Sequence, residues 1–399
     1  MELPEHKDAL HTEAGATVNY RVLPEPAAGS SSASAPVPHF LGRFRVVGEI
    51  ARGGMGIIVR AYDPALDREL AIKLLSPEIS PDSDPGRRFA QEARVVSQFH
   101  HPGVIPVFEA GTLADGRAYF AMPFVEGQTL SALLADRPNP AHDLARWLQV
   151  FLRVCETIAY VHEQGIVHRD LKPSNVMVGR FGEVMVMDWG VAAVTHQPRR
   201  TPVENRSGCW VFGTPAYMPP EQALGTSGPP DPRADVFGLG AILCEILTGQ
   251  PPYPGIDVAG VTRLAADGNQ AEMTRRLVRC GADPVLIQLA RQCLSPGPSD
   301  RLGSAGEVAA AVAGCLSAAD GQVRTAEHKA LTATEQRDRR FAGLVTAILA
   351  LVVSIAVGVS ARELRARGKD RAVSPEVAPA LTPSHGPAHQ DAPESIPQP

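Results

Sequence analysis

Alternating apolar and polar positions begin at Phe44-Arg45-Val46-Val47 and lead into Ile50-Ala51-Arg52-Gly53-Gly54-Met55-Gly56-Ile57-Ile58, which predicts a strand running into a glycine-rich turn. Leu70-Ala71-Ile72-Lys73 follows at the distance of one hairpin. From Gly86 to Phe99 the pattern changes, with Phe89, Ala93, Val96 and Phe99 recurring at helical spacing until Pro102 ends the run. Val104 to Val125 reads as two strands about the turn Ala114-Asp115-Gly116-Arg117. A long helix over Leu144 to Gln164 stops at Gly165. Val176-Met177-Val178 and Val184-Met185-Val186-Met187 flank Gly182 as a small hairpin. Beyond it the spacing predicts helices from Asp235 to Leu247, from Pro284 to Leu294 and from Ser304 to about Leu316.

The two ends read differently. Residues 1–42 hold Pro24-Glu25-Pro26 and a Ser-rich run from Gly29 to Pro36, too little apolar surface to offset ordering entropy, so disorder is expected. Met1 to Lys7 lack the basic region and apolar core of a secretory signal. Residues 317–340 are polar and read as a juxtamembrane linker. Phe341 to Val359 then carries no charge, and at about 1.5 Å per residue such a helix crosses a hydrocarbon core of roughly 30 Å. A single membrane span over 341–360 is therefore expected, with a proline-rich tail over 361–399.

Composition adds bounds. The 399 residues carry 38 basic and 43 acidic side chains, a net charge of −5, which leaves no nucleic-acid footprint. Six cysteines (Cys155, Cys209, Cys244, Cys280, Cys293, Cys315) show no metal-ligand spacing and read as reduced, largely core-filling thiols. His100-His101 in a turn diverge and lack a third ligand, so no metal site is read there.

The chemistry concentrates in His168-Arg169-Asp170-Leu171-Lys172-Pro173-Ser174-Asn175. A carboxylate, an ammonium and an amide within a few residues suit phosphoryl transfer. Asp170 can orient a hydroxyl and accept its proton, Lys172 can neutralise the travelling phosphate, and Asn175 offers an oxygen to Mg²⁺. The glycines at 53, 54 and 56 let backbone amides approach a polyphosphate. No G-x-x-x-x-G-K-[ST] occurs, which disfavours a P-loop enzyme.

These stretches resemble the protein kinases: H-R-D-L-x-x-x-N at 168–175, and the glycine-rich loop followed by a V-A-I-K-like strand at 50–73. The departures are Ala51 at the first glycine, Ile58 for valine, Trp189 for phenylalanine in Asp188-Trp189-Gly190, and Pro219 for alanine in Met218-Pro219-Pro220-Glu221. The resemblance covers 43–316 and implies an α+β, bilobal fold, a small antiparallel sheet with one helix over a larger helical lobe, with ATP between. It implies that Ile50 to Ile58, Ala71 and Lys73 hold the nucleotide, and that Glu92 pairs with Lys73. Met122 becomes the gatekeeper, with Pro123 and Val125 facing adenine. Asn175 and Asp188 become Mg²⁺ ligands, Asp170 and Lys172 the catalytic pair.

The resemblance further implies that Glu221 pairs with Arg301 and that Asp235 caps the catalytic loop. Residues 191–212 become an activation loop in which Thr201 or Ser207 either receives a phosphate read by Arg169 or stays unmodified. Gly53-Gly54-Met55-Gly56 and Pro220-Glu221-Gln222-Ala223 look like bacterial membrane-anchored Ser/Thr kinases, and Lys172 is similar to the serine/threonine subgroup. The implied activity is transfer of the γ-phosphoryl group of Mg-ATP to Ser or Thr of proteins, with self-phosphorylation. A pseudokinase scaffold at the membrane is the alternative, opposed by intact Lys73, Asp170, Asn175 and Asp188. A small-molecule kinase is opposed by Gly213-Thr214 and Pro220-Glu221. Arginines flank the apolar run on both sides, and those after it (Arg362, Arg365, Arg367, Arg371) lean towards a cytoplasmic tail. The need for ATP places the kinase portion in the cytoplasm instead. Protein substrates, the activating signal and homodimerisation stay open.

Overall fold

The computed structural model describes residues 38–195, 213–226, 228–255 and 257–369. The chain divides into two packed units, the first ending at Gly321 and the second beginning at Gln322.

The first unit opens with strands β1 (Phe40–Leu41), β2 (Phe44–Gly53), β3 (Gly56–Asp63) and β4 (Arg68–Leu75), followed by helix α1 (Asp84–Val96), β5 (Glu109–Thr112) and β6 (Ala118–Pro123). The six strands form one antiparallel sheet in the order β1-β2-β3-β4-β6-β5. Strand alternation sends Ile57, Val59, Ala61, Leu70, Ile72 and Leu74 to one face, with Phe44 and Leu41. The other face buries Ile58 and Ala71 against Phe89 and Ala93 of α1. Both faces of β3 and β4 are thus covered, and their sequences are accordingly apolar over long runs. The sheet curls so far that Arg43, in the β1–β2 turn, reaches Glu109 on the opposite margin at 2.6 Å.

Helix α1 starts where local chemistry starts it. Ser83 accepts from the Gly86 N–H at 3.3 Å, Asp84 stands in the first turn, and Pro85 loses no needed donor. It begins two residues before the expected Gly86 and ends at Val96 rather than Phe99.

After β6 the chain passes through β7 (Gly127–Thr129) and α2 (Leu130–Asp136) into α3 (Leu144–Glu163). Strand β8 (Ile166–Val167) leads to the catalytic-loop sequence, then β9 (Val176–Gly179), β10 (Val184–Val186) and β11 (Ala193–Val194). The β9–β10 hairpin matches the expectation, with Gly182 at φ +89° in its turn. The helical part continues as α4 (Pro220–Ala223), α5 (Arg233–Thr248), α6 (Val258–Ala266), α7 (Ala271–Arg279), α8 (Pro284–Cys293) and α9 (Ala305–Lys369). Helix α5 is buried on all sides and closes at Gly249, φ +78°. Around it pack Phe151, Val154 and Ile158 of α3, Leu289 and Cys293 of α8, and Val308 and Val312 of α9. Helices α2, α6 and α7 were not in the sequence expectation.

Helix α9 also runs on where a polar linker was expected. The residues from 317 to 340 are polar but rich in Ala and Arg, without proline, and such a composition forms helix readily. Two stretches of the described residues are long and apolar enough to cross a membrane. Pro298–Ala319 has mean hydropathy 1.4 and contributes Ala305, Val308 and Val312 to the core. Leu331–Glu363, in the second unit, has mean hydropathy 2.6 and none of its apolar window is buried.

Candidate active site

Helix α3 and strand β8 deliver the chain into residues 168–175, and a single buried carboxylate holds that loop in shape. Asp235, in the first turn of α5, accepts from the main-chain N–H of His168 at 2.7 Å and of Arg169 at 2.8 Å. Its Oδ2 also meets His162 Nε2 at 2.8 Å. Burial pushes the Asp235 carboxyl up, but His162 and the remaining donors outweigh it and the net value lies below the usual carboxylate range. The expected cap from Asp235 is therefore present, and His162 is a partner that sequence reasoning missed. With the loop so held, Arg169 takes φ +68°, a region that non-glycine residues enter only when their surroundings impose it.

Asp170 then faces the cleft. Its Oδ1 accepts from the Thr214 N–H at 2.9 Å, and its Oδ2 stands 3.0 Å from Lys172 Nζ. Lys172 donates to the Thr214 hydroxyl at 2.6 Å. Asn175 uses its amide N–H on the Asp170 carbonyl (2.8 Å) and on Asp170 Oδ2 (3.2 Å), which turns Oδ1 the other way. Thr214 was quoted in the sequence only as part of a motif. Its two contacts, to Lys172 and Asp170, span more than 40 residues of chain, and no local pattern announces them.

On the opposite wall, Lys73 of β4 donates to both Glu92 oxygens at 2.8 and 2.7 Å and lies 3.9 Å from Asp188. Burial raises the Glu92 carboxyl; the Lys73 ammonium draws it back without cancelling the effect. Asp188 is the reverse case: burial pulls it up, yet Lys73 and then Lys172 bring it below the ordinary value. It also adopts φ +61°. These groups border a cavity lined by Ile58, Lys73, Met122, Asn175, Asp188 and Trp189.

The remaining sequence-predicted positions distribute less uniformly. Ile50, Ala51, Ala71 and Val125 pack in the small-lobe core that contains Ile58 and Met122. Pro123 ends β6, opposite Leu70 of β4. Arg52, Gly53, Gly54 and Met55 form the tip between β2 and β3, where Arg52 pairs with Glu49 at 2.7 Å. Alternation turns the Ile57 side chain to the far face of the sheet, with Val59 and Leu74, while Ile58 lines the cavity. Gly56 has a use the sequence did not reveal, since a Cβ there would stand 2.0 Å from the Leu74 carbonyl oxygen of β4. Val96, Ile105, Val107 and Phe120 complete the cavity and were not foreseen as lining. Thr201 and Ser207 lie outside the described residues.

The donor set fits a nucleotide with a divalent cation. Asn175 Oδ1 and the Asp188 carboxylate are hard oxygens, one neutral and one held ionised, the latter 3.9 Å from the Lys73 ammonium that Glu92 holds. The apolar remainder of the cavity suits a planar base.

Residues 44–312 match the family model described as the protein kinase domain. Among curated proteins the chain is similar to the serine/threonine-protein kinase PknD of Protochlamydia amoebophila (strain UWE25), 35% identical over 235 residues, 53% of this chain and 23% of that protein. It is 36% identical over 232 residues to PknD of Chlamydia caviae, 53% of this chain and 25% of that one. It is 30% identical over 295 residues to PknD of Chlamydia trachomatis serovar L2b, 67% of this chain and 31% of the relative. The aligned part thus spans about a quarter to a third of these relatives' length.

Proposed function

We propose that this chain, which belongs to the protein kinase family, transfers the γ-phosphoryl group of ATP to Ser and Thr hydroxyls of proteins, itself included. The observation that carries this reading is the convergence of Lys73, Glu92, Asp170, Lys172, Asn175 and Asp188 on one cleft, although their sequence separations reach beyond 100 residues. Bound Mg²⁺, held by Asn175 and Asp188, would neutralise charge on the phosphates.

The chain's own side chains do the rest. Lys73, fixed by Glu92, meets the phosphates as an oriented ammonium, so little reorganisation is left for the reaction. Asp170 accepts a hydrogen bond from the attacking hydroxyl and takes its proton as the new P–O bond forms. Lys172, bridging Asp170 and Thr214, places positive charge beside the transferring group. Val125 and Pro123 offer adenine a main-chain N–H and a carbonyl, so the absent N–H of proline costs nothing. We read Leu331–Glu363 as the membrane span, since its apolar residues are exposed, and place the kinase portion on the cytoplasmic side, where ATP is. Residues 43–316 are taken as the kinase domain, with 341–360 as the core of the anchor.

Purified full-length protein given Mg²⁺ and labelled ATP is expected to label itself, and Asp170→Asn to abolish the label. Equal labelling by both forms would remove the mechanism.

A further inference from the structure

Strand alternation puts Arg60 and Glu69 on the cavity side of the small lobe. Ile58 and Ala71 lie on that face, so Arg60, two residues after Ile58 on β3, and Glu69, two before Ala71 on β4, share it. The two side chains pair across the strands. On the far side of β4, Ala71 stands opposite Met122 of β6 and Leu70 opposite Pro123, where that ladder ends. Phe124 is the first residue beyond the sheet, and its ring packs against the core that contains Ile58 and Met122. The Arg60 guanidinium lies over this ring, 4.7 Å from its centroid. Arg60 Nε is buried without an acceptor among the described residues. That edge of the cation has left water, the condition in which a cation–π contact is strongest. Phe124 itself sits between Pro123 and Val125, the two residues whose main chain is assigned to adenine.

Resting on the phosphoryl-transfer reading, we propose that Arg60 is a positioning residue for the nucleotide: stacked on Phe124 and steadied by Glu69, it fastens residues 123–125 to strand β3, which also carries Ile58 into the cavity. The Pro123 carbonyl and the Val125 N–H are then held in register with Ile58 before ATP arrives, so less ordering is left for binding to offset. The main-chain ladder does not supply this tie, because the β4–β6 register stops at Pro123 and proline has no N–H to extend it. Arg60 and Phe124 stand outside the set of side chains assigned to the phosphates. The tie therefore acts on nucleotide affinity and leaves the chemical step alone.

The test is a double-variant cycle on the full-length protein: Arg60→Met, Phe124→Leu, the two together, and Phe124→Tyr as the change that keeps the ring face. Two quantities are measured, the dissociation constant of a non-hydrolysable ATP analogue with Mg²⁺ and the rate of self-labelling at saturating ATP. Arg60→Met and Phe124→Leu are each expected to weaken analogue binding roughly three- to tenfold, the size of one partly desolvated cation–π contact, with the saturated rate little changed. The double variant binds no more weakly than the weaker single one, because both changes remove the same contact, and Phe124→Tyr binds as the parent does. Losses that multiply in the double variant overturn the tie, and so does a loss in Phe124→Tyr equal to that in Phe124→Leu. A lower saturated rate with unchanged analogue binding overturns it as well. If the parent labels itself and the cycle shows no coupling, the tie alone falls. If the coupling appears but the parent transfers no phosphate, the functional reading falls and the role of Arg60 in holding nucleotide stands.

Discussion

Glu92 carries the chemistry of this cleft in its burial as much as in its charge. Its carboxyl is raised by desolvation, with Lys73 opposing, so on acidification it takes up a proton before an ordinary glutamate with its value of 4.5 would. Protonation releases the Lys73 ammonium from a two-oxygen grip. The acid limb of the pH–rate profile is therefore expected above pH 4.5. Glu92→Gln should lower kcat/KM at neutral pH by roughly ten- to a hundredfold, the size of a charge-assisted bond, and remove that limb; a profile with the limb unmoved would assign it to another group. That Lys73 would meet Glu92 and that Asp170, Lys172 and Asn175 would come together was legible because each sits in a short run whose neighbours are nearly fixed. Thr214 and His162 were not, because their partners lie 42 and 73 residues away and the contact exists only once the lobe has folded. Within the run Ile50 to Ile58 the sequence did not separate side chains by face, and the strand sends Ile57 and Ile58 to opposite sides.

Among elements, long helices with a strong repeat were readable: α3 matches its expected span to within one residue at its end. Helices α6 and α7 escaped because each has nine residues and only two buried side chains, too few to establish a period. The pairing of α4 with the segment before α9 was foreseen and is tightly built. Arg301, whose side chain is fully buried, donates to Glu221 at 2.7 and 2.8 Å and to the carbonyls of Ser295, Pro296 and Arg233. Replacing it with methionine leaves those oxygens short of donors. The expected loss is about 3–5 kcal/mol, read as a lower urea midpoint. A midpoint shift equivalent to less than about 1 kcal/mol would show that water replaces the guanidinium there.

For the whole molecule, the expectation turns on Leu331–Glu363. Deleting 341–360 should move the protein from an alkali-resistant membrane fraction to the soluble one, with kinase labelling retained. In sealed right-side-out vesicles an external protease should trim only residues beyond 361, whereas digestion of the kinase portion from outside would reverse the topology. Hydropathy made this stretch visible, but the arginines after it lean towards a cytoplasmic tail, opposite to the orientation that ATP requires. The Arg43–Glu109 bridge between the first turn and the last strand has a mechanical consequence of its own. A sheet whose two margins are tied behaves as a hoop, so a push on β5 is felt at the β1–β2 rim instead of being absorbed by splaying.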